Sequence, residues 1–153
     1  MENPIKQIHK FNHQAGLVEK GYDDFLEASF QVEEALEGFP LYSLCDALGK
    51  PHDQFAYPKD MARYLLSKTQ GVSGTELSDV DRLDKACDAV VFAVGSMTKL
   101  GLTPQQITRA LNVVMKANFQ KLSMPKDEFG KLTKPSNFVG PEVELQRILD
   151  ERG

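Results

Sequence analysis

The longest helical pattern in the sequence spans residues 79–100 and sets the expected fold class. Apolar residues repeat there at spacings of three and four, the period of one helix face: Val80, Leu83, Cys87, Val90, Val94 and Met97. Ser78 can cap this helix, with Asp81 three residues later, and Gly101 can end it. Strand signals are almost absent from the rest of the chain, so we predict an all-α fold.

Other segments of the chain also have helical patterns. Residues 5–14 predict a first helix, and residues 22–38 predict a second that Gly38 and Pro40 end. Thr103-Pro104-Gln105-Gln106 begins another helix, because threonine caps well and proline suits the first helical position. A last short helix is predicted from Pro141 to Leu149. We expect these helices to form an antiparallel four-helix-type bundle.

The length of 153 residues favours one domain covering residues 1–153. Residues 41–78 contain several breakers and predict an irregular insertion with one helix from Asp60 to Lys68. The breakers are Gly49, Pro51, Pro58, Gly71 and Gly74. We interpret residues 123–153 as a basic tail, from Lys126, Lys131 and Lys134, that is loop-like before the last helix.

Composition narrows the functional classes. The net charge of −4 gives no electrostatic support for nucleic-acid binding. No apolar run reaches the roughly 18 residues that a membrane span needs, and residues 1–6 lack a signal pattern. Cys45 and Cys87 form no metal or redox motif and are expected in the core. We expect a cytoplasmic, reduced protein without a membrane partner.

Acidic residues lie beside the apolar faces of two predicted helices. Glu33, Glu34 and Glu37 fall within little more than one turn of the second helix, while Asp84 and Asp88 flank the apolar line of the 79–100 helix. Carboxylate oxygens are the ligands that Mg²⁺ and Mn²⁺ prefer, so two such helices could share a cation. The alternative interpretation is that these acids are solvated surface charges, because glutamate is a common helix former.

Two polar residues continue the apolar line of the helix that begins at Thr103. Asn118 and Lys121 follow Val114 at spacings of four and three. In a pocket, the asparagine could hydrogen-bond a base or sugar, and the lysine could pair with phosphate. The alternative is an ordinary helix end with a favourable basic residue.

Together, these segments resemble a known family. The pieces are Glu33-Glu34-Ala35-Leu36-Glu37, then Asp88 with Gly95 seven residues later, then Ala117-Asn118-Phe119-Gln120-Lys121, and finally Gly130-Lys131-Leu132-Thr133-Lys134-Pro135. This order is similar to that of the all-α NTP pyrophosphohydrolases, which include MazG-like proteins and dimeric dUTP and dCTP pyrophosphatases. Phosphoribosyl-ATP pyrophosphohydrolases are less similar, because the tail and insertion are more MazG-like. The resemblance covers about residues 22–140.

The resemblance implies a helical bundle that forms a homodimer or homotetramer and hydrolyses nucleoside triphosphates between the α and β phosphates, for nucleotide-pool cleaning. It implies that Glu34, Glu37 and Asp88 hold Mg²⁺, with Mn²⁺ as a substitute. Glu33 would bind a further metal or help to activate the attacking water. Lys121 and Lys134 would contact the substrate.

One position departs from the family pattern. The family has a glutamate three residues before the aspartate of its second motif, and Lys85 stands there in this chain. We hypothesise that Asp84 replaces the missing ligand, while Lys85 could instead contact phosphate. If neither compensates, the chain would be a non-catalytic nucleotide- or metal-binding bundle. A structural protein with acids only on its surface is the third hypothesis.

Overall fold

The structure is a computed structural model that describes residues 1–68, 77–128 and 130–153. The described residues form seven α-helices and no strand, with one isolated antiparallel bridge between Lys126 and Leu132. The helices are α1 (Pro4–Gln14), α2 (Asp24–Leu36), α3 (Leu41–Leu48), α4 (Pro58–Ser67), α5 (Asp79–Lys99), α6 (Pro104–Phe119) and α7 (Glu142–Asp150). The predicted all-α class is confirmed. Gly71 and Gly74, predicted breakers of the insertion, lie outside the described residues.

The predicted helix starts are confirmed by their hydrogen bonds. The Ser78 side chain accepts from the backbone N–H of Asp81 at 3.1 Å. Thr103 and Gln106 form a reciprocal capping box, with distances of 3.2 and 2.9 Å. Gly101 follows the end of α5 with a φ of +87°, a conformation that side chains disfavour. These ends are set by local chemistry.

The chain divides into two compact units. The first consists of residues 1–21 and 78–153 and is called the α6 unit, because α1, α5 and α7 each pack against α6. Its core contains Leu102, Ile107, Ala110 and Ile148. Phe11 of α1 meets Phe119 of α6 edge to face, with ring centroids 5.6 Å apart. The end of α6 is therefore packed against a helix from the beginning of the chain.

The second unit consists of residues 22–77 and is called the α2 unit. Here α2 packs against α4, and Cys45, Phe55 and Met61 form the core. The prediction of an irregular insertion at 41–78 is corrected, because its described part contains both α3 and α4. Pro40 occupies the N-cap position of α3, and Gly49 ends the helix with a φ of +63°. Two residues that look like helix breakers in the sequence therefore mark the two ends of a helix.

The expected core position of Cys87 in α5 is wrong. No residue of α5 is buried, and Val80, Leu83 and Val90 are 77%, 66% and 57% exposed. Cys87 is exposed as well, whereas Cys45 is buried as predicted. Only Met97, near the end of α5, packs against the core of the α6 unit. The four-helix arrangement stays a prediction.

No single helix in the described residues is both long enough and apolar enough to span a membrane. The consecutive helices α5 and α6 have the required length and apolarity only when taken together, and this pair is bent by 114°.

Replacing Met61 with alanine should destabilise the α2 unit. The Met61 side chain has no solvent exposure, and removing such a side chain costs about 2–5 kcal/mol of unfolding free energy. All four tyrosines, Tyr22, Tyr42, Tyr57 and Tyr64, lie in this unit and the chain has no tryptophan, so tyrosine fluorescence reports on it selectively. Urea unfolding followed by tyrosine fluorescence measures the loss. Ala47→Gly, on exposed α3 surface, is the control for a change outside the core, and an equal effect of both would contradict the assigned core.

Candidate metal centre

Three glutamates converge at the carboxyl end of α2. One carboxylate oxygen from each of Glu33, Glu34 and Glu37 lies within 4.8 Å of the other two. Glu37 is the residue that caps α2, and its backbone N–H donates to the carbonyl of Glu33 at 3.0 Å. This helical turn brings together the carboxylates that the sequence predicted as ligands. Glu33 is only 6% exposed, whereas Glu34 and Glu37 are exposed.

The cluster lies at the carboxyl end of α2, where a helix carries a partial negative charge. The last turn of α2 contains no basic residue of its own. A cation bound by the three carboxylates would therefore also interact favourably with this helix end.

The donor set fits a hard divalent cation. Mg²⁺ binds six oxygens at about 2.0–2.1 Å, and carboxylate oxygens are among its preferred ligands. The three glutamates supply such oxygens close together, and side-chain rotations would have to bring them nearer to one another around an ion. Three carboxylates would leave coordination positions for water or phosphate oxygens. These residues could therefore hold Mg²⁺ or Mn²⁺, and the identity of the ion stays a prediction.

The predicted residues of the second motif lie in the α6 unit. Asp84, Lys85 and Asp88 are exposed on α5, and the two aspartates are one helical turn apart. Their spacing matches the prediction that both side chains point in the same direction. Their roles as metal ligands or substrate contacts stay predictions.

Three of the predicted substrate-binding residues are gathered near the end of α6. Lys121 donates a hydrogen bond to the Asn118 side-chain oxygen at 2.8 Å. The ammonium groups of Lys121 and Lys134 lie 5.5 and 5.2 Å from the ring centroid of Phe138. Lys121 lies just beyond α6, which ends at Phe119, rather than inside the helix. Lys85 belongs to α5 and not to this group.

Phe138 and Glu27 have notable surroundings in the structure but only weak signals in the sequence. Phe138 joins the two lysines, and its only sequence signal is an aromatic residue in a polar tail. Glu27 lies two turns before Glu34 on the same side of α2. Burial raises the pKa of the Glu27 carboxyl, and the nearby charge of Asp23 raises it further.

Comparison with protein-family models, with curated proteins and with solved structures finds no match to this chain.

Mg²⁺ should stabilise the α2 unit through the glutamate cluster. At a tenfold excess over its dissociation constant, a ligand of the folded state adds about 1.4 kcal/mol to the unfolding free energy. Glu34→Gln should remove this gain, because it removes a charged oxygen ligand of the cation. Thermal unfolding followed by tyrosine fluorescence, at matched ionic strength, measures the stability with Mg²⁺ and with EDTA.

The control for this experiment is Glu142→Gln, which changes an exposed glutamate of α7. It should leave the Mg²⁺ response intact. An equal response of wild type and Glu34→Gln would exclude the cluster as the cation site.

Glu27→Gln should stabilise the protein at pH 7. Because the folded state raises the pKa of Glu27, ionising this carboxyl opposes folding, and its favourable contribution at low pH is lost as the pH rises through the raised pKa. The gain in urea midpoint should therefore be present at pH 7 and disappear below the ordinary carboxyl pKa of 4.5. Asp53→Asn, at an exposed position of the same unit, is the control. A gain that is the same at both pH values would contradict the titration of Glu27 as its cause.

Proposed function

We propose that this protein is a Mg²⁺-dependent pyrophosphohydrolase that cleaves ribo- or deoxyribonucleoside triphosphates between the α and β phosphates. The proposal is supported by the group of three carboxylates at the end of α2, whose oxygens lie within 4.8 Å of one another. The resemblance of the motifs to the all-α NTP pyrophosphohydrolases supports the reaction class. The products would be a nucleoside monophosphate and pyrophosphate, which suits removal of unwanted nucleotides from the pool of the cytoplasm.

The glutamates would have different tasks. Glu34 and Glu37 are exposed and would bind the cation, which neutralises triphosphate charge and lowers the pKa of a bound water. Glu33 is buried next to them and would accept the proton of the attacking water. Mn²⁺, which prefers the same oxygen ligands, would substitute for Mg²⁺.

The other predicted site residues would bind the substrate or act as cation ligands. Lys121 and Lys134 would bind phosphate oxygens, and Asn118 would hydrogen-bond the nucleoside. As the resemblance implies, Asp88 would be a cation ligand, and Asp84 would be a second one. Asp84 is placed one turn before Asp88 and would compensate for Lys85, which cannot bind a cation.

A second candidate function is binding of a nucleotide or metal without turnover. The exposed Lys85 favours it, because this ammonium stands at the place where the resembled family has a carboxylate. A positive charge there would weaken cation binding and stabilise bound phosphate. The two candidates differ in whether the nucleotide is cleaved.

We further propose that the protein forms a homodimer or homotetramer through α5. The exposed apolar side chains of this helix include Val80, Leu83, Val90, Val91 and Val94, and large apolar patches of this kind mark interaction surfaces. A second copy would offer the same patch, as in a symmetric interface. Neither nucleic acid nor a membrane is proposed as a partner.

Incubation with a panel of NTPs and dNTPs should yield monophosphate and pyrophosphate only when Mg²⁺ or Mn²⁺ is present. Glu37→Gln should lower the rate by at least about 100-fold, since it removes a charged ligand of the catalytic ion. Chromatographic analysis of the products measures the rate, the cleavage position and the preferred base. Glu142→Gln is the matched control and should keep full activity.

Asp84→Asn tests the proposed replacement ligand within the same assay. If Asp84 replaces the missing ligand, the variant should lose activity to a similar extent, and full activity would contradict that role. A wild-type protein that binds nucleotides but leaves them intact would identify the non-catalytic alternative.

Val90→Glu should shift the protein towards the monomer, because it places a charge in the exposed apolar surface of α5. Glutamate keeps a high helix propensity, so α5 itself should persist. Sedimentation velocity measures the oligomeric state. Val143→Glu, at a position of α7 that is 66% exposed, is the control. A wild-type protein that is monomeric at all concentrations would contradict the proposed interface.

A further inference from the structure

The segment after α6 folds back on itself before it reaches Lys134. Thr133 donates to the carbonyl of Pro125 through both its backbone N–H, at 3.2 Å, and its hydroxyl, at 2.8 Å. Lys126 and Leu132 form the antiparallel bridge next to these bonds. Lys134 therefore directly follows a loop that hydrogen bonds close, although its own side chain is exposed.

A second connection fixes the chain on the other side of Phe138. The Gln120 side-chain amide donates to the carbonyl of Val139 at 2.8 Å and accepts from the Val139 N–H at 3.0 Å. This pair of bonds links the end of α6 to a backbone 19 residues later. The Phe138 N–H also donates to the carbonyl of Pro135 at 3.1 Å. Phe138 is thus held between two anchored points.

Two cationic side chains from different segments lie near the Phe138 ring. Lys121 follows α6, and Lys134 follows the loop closed by Thr133, yet both ammonium groups lie within 5.5 Å of one ring centroid. Two ammonium groups repel each other, and the negative face of an aromatic ring offsets part of that repulsion. An ammonium near a ring can still donate hydrogen bonds to an anion.

We propose that Phe138 is a positioning residue that holds Lys121 and Lys134 together as one binding site for a polyphosphate, with Gln120 fixing Phe138 in place. The inference rests on the proposed function for its ligand, the phosphate chain of a nucleotide. Without the ring, the exposed Lys134 side chain must be ordered during binding, which weakens affinity. Phe138 itself does not contact the reacting atoms.

Binding of inorganic pyrophosphate and tripolyphosphate to the full chain, measured by calorimetry in Mg²⁺-free buffer, tests this site without turnover. Phe138→Leu keeps the apolar volume and removes the ring, and should weaken binding about three- to tenfold. Phe138→Tyr keeps the ring and should bind within about twofold of wild type. Gln120→Ala should weaken binding in the same direction as Phe138→Leu.

A double-mutant cycle separates positioning from a general structural effect. If Phe138 acts through the lysines, Phe138→Leu should have a smaller effect when Lys134 is already alanine, because only Lys121 then remains beside the ring. Additive effects, equal affinity of Phe138→Leu and wild type, or no polyphosphate binding by wild type would each overturn the proposal. Helical circular dichroism confirms that every variant is folded.

Failure of this inference can be distinguished from failure of the proposed function. If the protein binds polyphosphate in this ring-dependent way but cleaves no nucleotide, the inference holds and the hydrolase proposal fails. If it cleaves nucleotides, Phe138→Leu should raise KM and leave kcat within about twofold, because the ring aids ground-state binding. An unchanged KM would overturn the inference and leave the hydrolase proposal standing.

Discussion

The helical spacing that gathers three carboxylates at the carboxyl end of α2 is the constraint on which the proposed function depends. One carboxylate oxygen from each of Glu33, Glu34 and Glu37 lies within 4.8 Å of the other two. The helix end is itself partially negative, so a cation bound there would be stabilised by the carboxylates and by the helix. Glu33 is buried, and charges interact more strongly away from water.

The α6 unit supplies a different kind of chemistry. Its central helix is contacted by three others, and its end carries Asn118 followed closely by Lys121. The tail returns to this point through the Gln120–Val139 bonds, so a loop segment is fixed by hydrogen bonds rather than by a core. Positive side chains are thereby held in a defined place on a chain whose net charge is negative. Such a local basic group suits an anionic ligand of limited size rather than a long nucleic acid.

The sequence predicts features that depend on neighbouring residues and fails where distant ones decide. The caps at Ser78 and Thr103 and the glutamate cluster follow from spacings within one or two turns, and the structure confirms them. The periodicity of α5 correctly predicts an apolar helix face. It does not predict whether another part of the chain packs against that face. Helix α3 was missed because Gly49 marks a helix end as well as a break. The role of Phe138 requires the tail to return to α6, which no local pattern encodes.

A cation site at the end of α2 is tested most directly by an electron paramagnetic resonance titration of Mn²⁺ with the protein. The signal of free Mn²⁺ should fall when wild-type protein is added. Glu37→Gln should abolish this fall, because the cation would lose a charged ligand. Mn²⁺ that stays free, or that binds wild type and Glu37→Gln equally, would contradict a cation site at the end of α2.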